Sequence, residues 1–247
     1  MSHTVFHPEN DTPTVVLVHG AFADSSSWNG VIGRLRSEGL PVLAVANPLR
    51  GLEYDASSLR SVIDSIDGPV VVAGHSYGGT VLSEAADGAE NVRALVYIAS
   101  FALEVGESTG ELAGKFPGAE LGDALEPIPF PAAGGEVGTD LYIQQEKFHA
   151  VFAADVPADV AALMAVTQRP IASVGLEDAA TKAAWKTIPS WTMVTLKDLA
   201  IPADSMRFMA ERAQSHTVEI DASHAVTVSR PDAVADLILD AVRGTMA

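Results

Sequence analysis

The chain has 247 residues, 48 % hydrophobic and 19 % charged, which suits one sizeable α/β domain with ample core material and excludes wholesale disorder. Its 15 Lys and Arg against 32 Asp and Glu give a net charge of −17, a surface that repels phosphate backbones and anionic lipid and argues against nucleic-acid or membrane partners. There is no cysteine, which removes disulfides, thiol nucleophiles and thiolate metal sites together.

The N-terminal stretch MSHTVFHPENDTPT has neither an apolar run nor a basic lead, and no segment approaches the roughly 18 apolar residues that span a bilayer. The expectation is a cytoplasmic protein. Apolar, β-branched runs then recur: Thr14–Val18, Pro41–Ala46, Pro69–Gly74 and Val92–Ala99. Each is nearly continuous rather than alternating, as in strands buried on both faces of a parallel sheet. Helical spacing separates them, at Trp28, Val31, Ile32 and Leu35 and again at Leu59, Val62, Ile63 and Ile66.

After Phe101 this rhythm stops. Residues 105–138 are rich in Gly, Pro and Glu with little periodicity and read as a long loop. Short helices are expected at Asp140–Phe152, Pro157–Val166 and Asp178–Lys186. Strands return at Trp191–Leu196 and Thr217–Ile220, with a helix at Ala203–Ala213 between them and a last helix starting at Pro231, a residue suited to a first helical position. The pattern predicts a doubly wound, mostly parallel sheet of about six strands. It reads as one domain with a core of residues 1–104 and 187–247 and a helical cap inserted at about 105–186.

The strongest chemical signal is Gly74-His75-Ser76-Tyr77-Gly78, which fits G-x-S-x-G, follows a strand and precedes a helix-compatible segment. A sharp strand-to-helix turn lifts a serine hydroxyl above the sheet, and the helix N-terminus beyond it favours an oxyanion. A serine needs a base. Of seven histidines, His224 sits in Asp221-Ala222-Ser223-His224-Ala225, directly after the last strand, where loops at the carboxyl ends of strands converge. His3 and His7 lie near the N-terminus, His149 and His216 have no motif around them, and the ring of His75 should point away from Ser76. Asp198, directly after Trp191–Leu196, is the carboxylate that fixes the imidazole tautomer; Glu104 and Asp221 compete for that role. Two backbone N–H groups should meet the oxyanion, one from Tyr77 and one from Ala21 in the turn Val18-His19-Gly20-Ala21-Phe22. The insertion's aromatics Phe116, Phe130, Tyr142, Phe148, Phe152 and Trp185 are candidates for a pocket wall. Neither a clustered metal-ligand pattern nor a nucleotide loop is present, so no cofactor is expected.

VVLVHGAFADSSSW, GHSYGG, the D-x-x-I-P segment at Asp198 and the S-H-A turn at His224 resemble the α/β-hydrolase superfamily, and within it the small branch of salicylate-ester-type esterases and hydroxynitrile lyases. The resemblance covers nearly the whole chain. It implies a six-stranded core with a helical cap, Ser76 as nucleophile, His224 as base, Asp198 as acid, and the Ala21 and Tyr77 amides as oxyanion donors. Lyases of that branch carry Thr where this chain has Gly20 and Lys where it has Ala225, and dehalogenases of the fold carry Asp in place of Ser76. These departures favour hydrolysis of small hydrophobic carboxylic esters. The alternatives are lyase-like, lactonase or perhydrolase chemistry, or a small-molecule binder on the same scaffold. The oligomeric state is left open, a homo-oligomer included.

Overall fold

The computed structural model describes residues 12–246; His3 and His7 lie outside the described residues. The core elements follow the expected alternation. They are β1 (Thr14–Val18), α1 (Asn29–Ser37), β2 (Val42–Val45), α2 (Leu52–Asp64), β3 (Val70–Ser76), α3 (Tyr77–Ala86) and β4 (Val92–Ser100). An insertion follows, with α4 (Thr109–Gly114), β5 (Leu125–Pro131), β6 (Val137–Ile143), α5 (Gln145–Phe152), α6 (Ala158–Thr167), β7 (Ile171–Ala172) and α7 (Val174–Glu177). The chain closes with β8 (Ser190–Thr195), α8 (Ala203–Arg212), β9 (His216–Ile220), α9 (Val226–Ser229) and α10 (Pro231–Thr245).

Six strands form one sheet in the order β2-β1-β3-β4-β8-β9, and every pairing in it is parallel. β1, β3 and β8 are buried along their whole length, and β4 at all but Arg93. That requires cover on both faces; α1 packs against α10, and α2 against α3. Uninterrupted burial does not extend to the edges: β2 is half-buried, and β9 is exposed except at its last residue, Ile220. The chain leaves β1 for β2 on one side and returns to β3 on the other. This reversal opens a crevice at the carboxyl ends of β1 and β3, the place where such sheets bind ligands.

The insertion corrects three expectations. It is not only helical, because β5, β6 and β7 form a separate antiparallel sheet, of which β5 lies in the stretch expected as loop. Prolines 127, 129 and 131 of β5 pair with Leu141, Thr139 and Val137. A proline has no N–H to donate, so all three turn that missing donor away from β6 toward the outer edge, which blunts the edge against further pairing. The helix expected from Asp140 starts only at Gln145, because β6 runs to Ile143. The helix expected at Asp178–Lys186 is absent apart from a single tight turn at Ala184–Lys186. Its polar groups are engaged with the core instead: Asp178 accepts the Leu52 N–H, and Glu84 accepts the Thr181 and Lys182 N–H groups. Among the described residues no helix is long and apolar enough to cross a membrane.

Candidate active site

Ser76 ends β3 with φ 54° and ψ −127°, in the left-handed region that non-glycine residues avoid at a cost of about 1–3 kcal/mol. The surrounding backbone imposes the turn. Ser100 donates from Oγ to the Ser76 carbonyl at 2.6 Å. A Cβ on Gly78 would fall 2.4 Å from the Val18 carbonyl oxygen, so the first turn of α3 rests directly on the end of β1. Gly20 is as tightly placed from the other side: a Cβ there would lie 2.7 Å from Ser76 Cβ and 2.8 Å from the His75 carbonyl oxygen. Val18 pairs with Gly74. Gly20 lies against Ser76, so the turn that carries Ala21 adjoins the turn that carries Tyr77. The Ala21 N–H has no acceptor among the described residues. Tyr77 is the first residue of α3, so its N–H has no acceptor within the helix.

His224 lies between β9 and α9, and Asp198 lies in the loop three residues past the end of β8. His224 Nδ1 and Asp198 Oδ2 are 2.8 Å apart, both side chains being essentially inaccessible. A carboxylate accepts, so Nδ1 carries the proton and Nε2 is left bare. Three more donors hold Asp198: Thr195 Oγ1 on Oδ2 and the Ala200 and Ile201 N–H groups on Oδ1, each at 2.8 Å. The competing carboxylates are elsewhere. Glu104 pairs with Lys186 at 2.5 Å and Asp221 with Lys197 at 2.8 Å, both at the surface.

The loop carrying His224 is fixed by its neighbours. The Ala225 N–H donates to the Phe152 carbonyl at 2.9 Å, and Ser223 Oγ donates to Asp155 Oδ1. Both acceptors belong to the insertion. The oxyanion-side turn has a similar tie, the Phe22 N–H donating to the Arg169 carbonyl at 3.0 Å. Phe152 stands edge-on to His224 at 4.8 Å between ring centres, with Phe148 and Phe22 packed behind it. Of the expected pocket aromatics, Phe152 makes a ring contact with a candidate site side chain, His224. Phe116 packs on Phe208, Phe130 lies under Arg50, and Trp185 donates its indole N–H to Leu103. Tyr142 is paired with Glu126 in the small sheet.

Residues 15–237 match the family model described as "Alpha/beta hydrolase family". The chain belongs to the α/β-hydrolase family. It is 27 % identical over 253 residues to "Alpha/beta hydrolase nvfD" of Aspergillus novofumigatus (strain IBT 16806), covering 93 % of this chain and 96 % of that one. Its fold is also that of polyneuridine aldehyde esterase, with a TM-score of 0.79 at 21 % identity over 93 % of this chain and 98 % of the other. A methylesterase from Arabidopsis, MES16, superposes with a TM-score of 0.77 at 18 % identity, covering 94 % and 99 %.

Two histidines to which the sequence assigned no role, His19 and His75, are packed around the candidate site of this α/β-hydrolase. His19 accepts the Asn47 N–H at Nε2, 3.0 Å away, so Nδ1 is its donor, and it reaches the Gly20 carbonyl at 2.9 Å. A trans peptide then points the Ala21 N–H the opposite way from that carbonyl. His75 is buried against His224 and bonded to its carbonyl. Burial leads in lowering both, His19 to about 4 and His75 to about 3. The signal in the sequence was their position beside the two turns, but their partners, Asn47 and His224, are 28 and 149 residues away. Neither His149 nor His216 is in this group; the first bonds the Val156 carbonyl and the second stacks on Trp191. Among the described residues no three histidine and carboxylate side chains are grouped to hold a metal ion.

Proposed function

We propose that this protein is a cofactor-independent serine hydrolase that cleaves carboxylic esters of small hydrophobic molecules. The observation that carries the reading is the buried His224–Asp198 hydrogen bond at the carboxyl end of the sheet that presents Ser76 on its strained turn. Ser76 Oγ attacks the ester carbonyl while His224 Nε2 takes its proton. Asp198 holds the proton on Nδ1, which leaves Nε2 to act as the base, and stabilises the imidazolium. The carbonyl oxygen, now an oxyanion, is met by the Ala21 and Tyr77 N–H groups. Collapse breaks the ester bond, His224 gives its proton to the departing alcohol, and an acyl-Ser76 remains. Water deprotonated by His224 then attacks the acyl carbon and releases the acid and Ser76. The esterases that share the fold are consistent with this chemistry.

Gly20 and Ala225 weigh against the lyase alternative. Cyanohydrin cleavage asks for a hydroxyl to hold the substrate and a cation for the departing cyanide, and neither position has one. At Gly20 the elbow also leaves no room for a side chain. The deciding experiment assays p-nitrophenyl and aryl esters of graded size together with mandelonitrile. Ester hydrolysis without cyanide release is expected, and Ser76→Ala should lower kcat by several orders of magnitude, on the order of 10⁶ in a well-studied protease. Comparable turnover by the purified variant removes Ser76 from the mechanism, and cyanide release without esterase activity replaces hydrolysis by the lyase reaction.

A further inference from the structure

Tyr77 faces two ways. Its N–H opens α3 at the turn after Ser76, while its phenol runs away from that turn beneath α2. The hydroxyl donates to Asp55 Oδ2 at 2.9 Å, and both side chains are buried. The same carboxylate accepts the Arg50 N–H at 2.9 Å through Oδ1. Burial pushes the Asp55 carboxyl up, against the hydrogen bonds from Arg50, Tyr77 and Gly51 and the charge of Arg50. Burial and the neighbouring Asp55 push the Tyr77 phenol up as well, so it remains a donor.

Arg50 continues the connection into the insertion. Its guanidinium pairs with Asp140 of β6 at 2.8 Å and donates to the Pro170 carbonyl at 3.1 Å. The preceding carbonyl, of Leu49, accepts the Ala172 N–H of β7 at 3.0 Å. On the far side of the phenol, a Cβ on Gly175 would stand 3.1 Å from the Tyr77 hydroxyl oxygen, so α7 closes over it. Polar contacts therefore join the inserted sheet through Arg50 and Asp55 to Tyr77, the residue that follows the proposed nucleophile.

We infer that Asp55 is a positioning residue for ester hydrolysis: by anchoring the Tyr77 phenol, it fixes the first turn of α3 and aims the Tyr77 N–H at the oxyanion. This rests on the hydrolase reading above. A buried carboxylate is costly wherever it stands, and apolar residues filling the same space would pack without that cost. Here it holds the side chain of Tyr77, whose own backbone N–H is one of the two proposed oxyanion donors. Such local departures from the cheapest packing gather at functional sites. The donor acts on charge that develops in the transition state, so a misaimed N–H lowers kcat and leaves substrate binding nearly unchanged.

The test compares full-length wild type, Tyr77→Phe, Asp55→Asn and the double variant on one p-nitrophenyl ester, with active sites counted by fluorophosphonate labelling. Tyr77→Phe deletes one hydroxyl and keeps the ring, so it serves if Asp55→Asn does not fold. The expected result is a roughly 10- to 100-fold loss of kcat per labelled site with KM within about twofold. The double variant should lose no more than the weaker single variant, because both break one link. A lower melting temperature with unchanged kcat per labelled site makes the pair purely structural and overturns the inference. Wild type that neither turns over esters nor is labelled at Ser76 removes the hydrolase reading and this role with it; active wild type with unaffected variants removes the role alone.

Discussion

His75 donates from Nε2 to the backbone carbonyl of His224 at 2.8 Å, with the two rings 4.7 Å apart. A carbonyl only accepts, so the proton is on Nε2, and the buried Nδ1 has no partner among the described residues. The residue before the proposed nucleophile thus holds the main chain of the proposed base. His75→Phe keeps a ring in this aromatic cluster and deletes the donor. It should lower kcat by about 10- to 100-fold with a smaller change in KM. His75→Gln, whose amide nitrogen reaches about as far as Nε2, should recover part of the loss. Steady-state kinetics on a single ester checks both; equal turnover of His75→Phe and wild type would deny His75 this role.

Asp198 accepts four hydrogen bonds, whereas Glu104 lies at the surface with Lys186. Asp198→Asn places an amide against donors, and its nitrogen can only face groups that themselves donate. It also permits the wrong tautomer of His224. The expected loss in kcat is of order 10⁴, as for the equivalent change in a serine protease. Glu104→Gln should change stability by less than about 0.5 kcal/mol and leave turnover close to wild type. A reversed ranking in the same assay would move the acid to the end of β4.

Stability should fall on mild acidification. His19 and His75 are held neutral in the fold, lowered to about 4 and about 3 from 6.5 with burial the leading cause. Below pH 6.5 the unfolded chain takes up protons at both positions that the folded chain refuses. The free energy of unfolding therefore drops as pH falls from 6.5 toward 4, approaching about 1.4 kcal/mol per pH unit for each ring. Asp24, Glu104 and Glu107, whose carboxyls are held below their usual range, add their own losses only once the pH falls through the ordinary carboxylate values. Asp55, raised by burial, acts in the opposite direction. Urea denaturation between pH 7 and 5 should show the decline, and His75→Gln should roughly halve its slope. A flat profile across that interval would mean that neither ring is held neutral.

The core was legible because its signals are local. A strand buried on both faces must be apolar throughout, and a helix lying on one face of that sheet must repeat its apolar residues every three or four positions, so β1, β3 and β4 with α1 and α2 stand in the sequence itself. The G-H-S-Y-G turn is equally local, since its geometry depends on small residues next to the serine. What stayed hidden depends on partners far along the chain. The prolines of β5 read as breakers until β6 supplies an inner side to pair with. Asp178–Lys186 is not a helix because core groups on α2 and α3 take up its polar atoms. Tyr77 and Asp55 are 22 residues apart, and His75 and His224 are 149 apart. No local pattern records such a contact, because it exists only after the parallel sheet has brought the ends of non-neighbouring strands together. Sequence alone thus determined the six-stranded sheet and singled out the candidate site side chains, while the tertiary structure decided which buried groups hold them in place.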